Sequence, residues 1–79
     1  MRALASPSSL LPTRLDSSSL QSVGYSAQAG TMEIAFHNGS IYRYFGVPVH
    51  IYEALLGANS KGRYFITAIR TSFRFERLT

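Results

Sequence analysis

The sequence predicts an α+β domain, a three-stranded antiparallel meander followed by two helices and a short extended C-terminal tail. Three observations carry that prediction. Asn38-Gly39 stands between two runs of alternating apolar residues, a strong short-range hairpin signal. Gly46-Val47-Pro48 closes the second run and opens a stretch in which apolar residues recur at helical spacing. The links between the strands are too short for a parallel crossover, so the pairing is antiparallel.

Residues 1–14 hold three serines, two prolines and scattered leucines without a period, and read as a flexible Ser/Pro-rich leader. Its Leu10-Leu11 pair is either docked on the domain or solvated. Residues 15–79 form the domain. Leu20, Val23 and Tyr25 mark the first strand, Ala27-Gln28-Ala29-Gly30 a turn, Thr31 to His37 the second strand and Ser40 to Phe45 the third.

The turn at Asn38-Gly39 decides which side chains face inward, because a slip of one residue exchanges the faces of a strand. A two-residue turn pairs Ile34 with Arg43 and puts an unpaired charge among Met32, Ile34 and Phe36. A three-residue loop, His37-Asn38-Gly39 with Gly39 left-handed, pairs Ile34 with Tyr42 and Met32 with Tyr44. The second register is preferred. It sets Arg43 opposite Glu33 on the outer face, a favourable cross-strand pair.

Pro48 suits the first turn of a helix, since its φ is already helical and its missing N–H would be unpaired there. Ile51, Tyr52, Leu55 and Leu56 form one stripe of a helix from about Pro48 to Ala58. Ser60 is an N-cap for a second helix from about Lys61 to Arg70, with Tyr64, Phe65, Ala68 and Ile69 inward. Thr71 to Arg77 alternates apolar and polar residues, a tail that returns either to the sheet or to a neighbouring subunit.

At 79 residues the chain is one domain near the lower size for an unassisted fold. It has no cysteine, which excludes disulfides and thiolate zinc sites and leaves a partner, a ligand or a second copy as the means of added stability. No apolar stretch approaches the roughly 20 residues that span a bilayer, and no signal peptide is read. The expected location is the cytoplasm. The formal charge is +4, but Arg2 and Arg14 lie in the leader; the other six basic residues against four acidic ones leave +2. Lys61, Arg63, Arg70, Arg74 and Arg77 face only Glu76 after residue 59, a local basic bias that suits an anionic partner.

Tyr42-Arg43-Tyr44 has two readings: a stacking platform for bases, or two core tyrosines with an outward arginine. The preferred register favours the second. Ser60-Lys61-Gly62-Arg63 is either a phosphate-holding helix start or a plain N-cap with solvated basic residues. His37 and His50 have no cysteine or carboxylate at ligand spacing and read as exposed polar residues, so no metal is expected. Asp16, Glu33, Glu53 and Glu76 lie on different elements, and no triad or carboxylate pair can be nominated. The chain reads as a non-enzyme without a cofactor.

The ordered set Val23-Gly24-Tyr25, Tyr42-Arg43-Tyr44, Gly46-Val47-Pro48 and Ser60-Lys61-Gly62-Arg63-Tyr64-Phe65 resembles the KTSC domain, found at the C-terminus of some bacterial lysyl-tRNA synthetases and as small bacterial and phage proteins. The resemblance spans about residues 15–77. It implies a binding module whose RNA context follows from attachment to a tRNA-charging enzyme, and no catalytic residue. Ile66 stands where the family pattern often has Asn, and Phe73-Arg74-Phe75 where a Tyr-Pro-Tyr-like ending is common.

The expectation is a small binding module with RNA as its first ligand and Arg43, Lys61, Arg63, Arg70 and Arg74 facing phosphates. The rival expectation is a homodimer or a protein partner held through Phe73 and Phe75 on a terminal strand.

Overall fold

A computed structural model describes residues 10–79. Strands β1 (Thr13–Arg14), β2 (Leu20–Ser26), β3 (Thr31–Phe36) and β4 (Ile41–Phe45) come first, then helices α1 (Val49–Gly57) and α2 (Lys61–Tyr64). Helix α2 runs into a π-helical turn (Phe65–Ile69), and β5 (Phe75–Arg77) follows. All strands lie in one antiparallel sheet in the order β1-β2-β3-β4-β5.

The mixed α and β class is as expected, but three strands is an undercount: among the described residues the sheet has five. Two residues after Pro12 are too few to show a period, so β1 leaves no pattern in the sequence. The alternation of β5 is visible, but its partner depends on where the helices return the chain. It pairs with β4 through Tyr42–Arg77, Arg43–Glu76 and Tyr44–Phe75.

The three central strands have the preferred register, with Ile34 opposite Tyr42, Glu33 opposite Arg43 and Met32 opposite Tyr44. The loop His37-Asn38-Gly39 sets it. Phe36 N–H donates to Ser40 O at 2.9 Å, and Gly39 takes φ +95°, a region that favours glycine. Asn38 Oδ1 accepts from Ser40 N–H at 3.0 Å and from Ser40 Oγ at 2.7 Å, which fixes the turn from the side-chain level. A bulge between Leu20 and Ser22 lets Leu20 and Val23, three apart, share the inner face.

That face carries Leu20, Val23, Met32 and Ile34, all fully buried against Leu55 of α1 and Ile69 of the π turn. Each such side chain contributes about 1.5–3 kcal/mol of transfer free energy, so the sheet and the helices are stable only together. Tyr52 of α1 stacks on Tyr25 at 4.6 Å, and the Tyr25 hydroxyl donates to Val47 O at 2.6 Å. Of the expected α1 stripe, Leu56 lies at the rim and is exposed.

Ser60 caps α2 as expected, its Oγ accepting from Arg63 N–H at 3.3 Å. The expected α-helix to Arg70 is corrected after Tyr64, where the backbone widens and Arg70 N–H donates to Phe65 O, five residues back, at 2.9 Å. Thr67 Oγ1 reaches Arg63 O at 3.0 Å and Tyr64 O at 3.3 Å, competing for carbonyls at the start of this segment.

The outer face carries the Glu33–Arg43 pair. Leu10 lies over it: a Cβ on Gly24 would come within 2.9 Å of Leu10 Cβ, so glycine there admits the segment preceding β1. Leu11 projects into solvent.

Candidate functional site

Beside the core, on the inner side of β4 and β5, the side chains stop short of closing. Phe36, Tyr42, Tyr44, Phe65 and Phe75 surround a pocket of about 490 Å³, with Asn38, Ser40, Arg70 and Thr71 completing its walls. Strand alternation explains the tyrosines, since Tyr42 and Tyr44 project to the same side of β4. Phe75 comes from the neighbouring strand, its ring 5.7 Å from each tyrosine ring. Phe65 meets Tyr44 edge to face at 5.7 Å and Phe36 at 5.4 Å.

The π turn supplies the cation. In a regular α-helix residue 70 stands about 140° round from residue 65. The π turn, bonded from residue 70 back to residue 65, takes more residues per turn and brings Arg70 nearer to the side of Phe65, and both line the pocket. Arg77, which shares the inner side of β5 with Phe75, places its guanidinium 5.8 Å from the Tyr42 ring centroid. Among the described residues no carboxylate lines the pocket.

Tyr44 is the unusual member of this wall. Only 3 % of it is exposed, yet among the described residues its hydroxyl has no hydrogen-bond partner. Burial, reinforced by the neighbouring Tyr42 and opposed by Arg70, pushes its pKa up to about 12. The hydroxyl is therefore a neutral donor at physiological pH. Tyr42 is half-buried and Phe75 is 51 % exposed, so both retain ring surface for a ligand.

The expected site residues fall into three places. Arg70 lies in the aromatic pocket. Lys61 and Arg63 line a polar cleft of about 450 Å³ between the start of α2 and the Asp16 to Ser19 loop, with Lys61 Nζ donating to Ala58 O at 2.9 Å. Arg43 lies on the outer face, where Nε and Nη2 both donate to Glu33 Oε2, at 3.0 and 2.7 Å. Arg74 sits over Phe45 at 5.1 Å to the ring centroid. The tail runs beside β4, which sets Arg77 opposite Tyr42.

Sequence reasoning missed Phe36, Phe65 and Phe75 as a shared wall. The 36–42 and 42–75 contacts join residues of different elements, and only the period-two pattern at 73–77 hinted at one of them. His37 Nε2 lies 2.9 Å from Ser17 O and ties the hairpin loop to the Asp16 to Ser19 loop. Among the described residues no three His, Cys, Asp or Glu side chains gather as a metal site, and no helix is long and apolar enough to cross a membrane.

The KTSC domain family matches residues 16–73. This chain belongs to the KTSC domain family. An uncharacterized protein of Stutzerimonas stutzeri is 47% identical over 65 residues, covering 81% of this chain and 92% of its own length. A lysine–tRNA ligase of a Nostoc species is 38% identical over 64 residues, again 81% of this chain but only 11% of the ligase. The crystal structure of a KTSC domain protein from Yersinia pestis superposes with a TM-score of 0.83 at 31% identity, covering 89% of this chain and 99% of that one. The KTSC domain is thus a small domain of unestablished function that occurs both alone and within lysine–tRNA ligases.

Proposed function

We propose that this KTSC domain is a cytoplasmic, non-catalytic RNA-binding module whose contact surface is the aromatic pocket and the basic helical segment beside it. The observation that carries the reading is the pocket itself: exposed ring surface on Tyr42 and Phe75 next to the Arg70 guanidinium, without a carboxylate among the described wall residues. Aromatic faces beside a cation suit unpaired bases and their phosphates. Lys61 and Arg63, at the opposite end of the same helical segment, carry the strand onward. The occurrence of related sequence within lysine–tRNA ligases makes tRNA the first RNA to offer.

Fluorescence anisotropy with labelled tRNA and a mixed single-stranded RNA, titrated from low to physiological salt, tests this. Saturable binding with a steep salt slope is expected. Exchanging Lys61 and Arg63 together for alanine weakens binding across sequences and flattens the slope by about 0.7 per lost contact on a single strand. Unchanged affinity and slope would remove those two residues from the surface, and no binding at low salt would overturn the whole reading.

The competing reading is a protein-interaction or self-association module, favoured by half-exposed Phe75 on the edge strand β5. It predicts a dimer, or a partner strand, lost on truncation after Thr71. Light scattering of the full chain at high concentration decides the dimer: a monomer leaves self-association without support.

A further inference from the structure

We infer that the pocket beneath Phe75 receives one unpaired nucleotide of an RNA, with the Tyr44 hydroxyl donating a hydrogen bond to the base; this deepens, and rests on, the RNA-binding reading. Tyr44 lines this pocket, which opens to solvent, and its hydroxyl makes no hydrogen bond to another described residue. It is therefore free to donate to an acceptor on a base edge, a carbonyl oxygen or a ring nitrogen.

The surroundings fit the rest of a nucleotide. About 490 Å³ falls within the usual range for small-molecule pockets and accommodates one nucleotide unit. Tyr42 and Phe75 line the pocket with aromatic surface for the flat base, and Arg70 offers a fork of donors to the phosphate. A paired base buries its faces in the helical stack and cannot enter such a wall, so the occupant is unpaired.

Three preparations test the inference on the full chain: a labelled single-stranded RNA of mixed sequence, a blunt duplex of the same sequence, and the Tyr44→Phe variant. The single strand should bind more tightly than the duplex. Tyr44→Phe should weaken single-strand binding about three- to tenfold, the effect of losing one neutral hydrogen bond. It should leave duplex binding unchanged and melt close to the parent temperature, since it deletes a hydroxyl without a protein partner among the described residues.

Equal binding of strand and duplex, or an unchanged Tyr44→Phe affinity, overturns the base pocket while RNA binding stands. If neither RNA binds, the RNA reading has failed, and uridine and adenosine monophosphates decide the pocket alone. Amide shifts at Tyr42, Tyr44 and Arg70 that shrink in Tyr44→Phe support a nucleotide site; their absence overturns it.

Discussion

The two faces of the β3–β4 hairpin bury polar groups in opposite ways. On the outer face Glu33 is only 6 % exposed, but Arg43 spans it with two hydrogen bonds and has Glu76 Oε1 within 3.9 Å. On the inner face Tyr44 is just as buried, and among the described residues its hydroxyl has nothing to bond. A buried charge with its counter-ion in the same chain is architecture. A hydroxyl in the wall of an open pocket, with no protein partner among the described residues, is free to bond a ligand.

The largest effect should come from breaking the outer pair. Arg43→Ala leaves the Glu33 carboxylate without its cation under Leu10, which should cost about 2–4 kcal/mol. For a domain of this size that is a fall in melting temperature of roughly 10–30 °C. RNA affinity, measured where the variant is still folded, should not change. A variant that melts like the parent would show that solvent already screens the pair, and one that binds RNA poorly at full stability would return Arg43 to the binding surface.

Alkaline pH reaches the inner face without a mutation. Tyr44 holds its proton to about pH 12 in the folded chain, against 10.0 for an ordinary tyrosine, so the unfolded chain ionises first. The stability this gives is complete below pH 10 and is lost as pH rises towards 12. Solvent screening in the open pocket holds the loss to about 1 kcal/mol. Denaturant titrations of parent and Tyr44→Phe across that window isolate it from the other tyrosines. Parallel losses would mean that the hydroxyl is solvated, and the contrast between the faces would disappear.

How much of this was legible beforehand follows from which contacts are local. The hairpin register was readable because Asn38-Gly39 and the alternation of Met32, Ile34 and Phe36 leave one arrangement free of a buried charge. The N-cap at Ser60 was readable for the same reason, since its partner lies three residues on. The pocket was not. It needs Phe75 to cross from the tail to Tyr42 and Tyr44, and a π turn to swing Arg70 towards the side of Phe65, and neither the strand pairing nor the widened turn leaves a period in the sequence. Arg43 shows the converse: the residue pattern suggested both a pair with Glu33 and a phosphate contact, and the geometry commits its Nε and Nη2 to the pair.

Two tyrosines on the inner side of the sheet sharpen the comparison further. Tyr25→Phe removes a hydroxyl that donates to Val47 O at 2.6 Å, and should cost about 1 kcal/mol by leaving that carbonyl short of a donor. Tyr44→Phe removes a hydroxyl without a partner among the described residues and should cost nothing at neutral pH. Thermal melts of the two variants side by side are the measurement. Equal losses would mean that Tyr44 has a partner after all, and its hydroxyl would not be free for a ligand.

The smallest effect should come from Gly24→Ala, which touches only the outer side. The new methyl would stand 2.9 Å from Leu10 Cβ, closer than real Cβ atoms come, and 3.5 Å from Leu11 O, so the segment preceding β1 has to shift. The lower entropy of the unfolded alanine chain, about 0.4–1 kcal/mol, offsets part of that strain, and the displaced segment, with Leu11 already in solvent, takes up the rest. Hydrogen exchange should show it. The Leu15 amide, bonded to Gln21 O beside β1, should exchange faster as the strap loosens, while amides of β4 and RNA affinity stay as they were. Unchanged exchange would show that β1 pairing alone holds the segment down. A fall in affinity would carry the ligand's reach round to the outer face, and the division between a closed side and an open side would have to be redrawn.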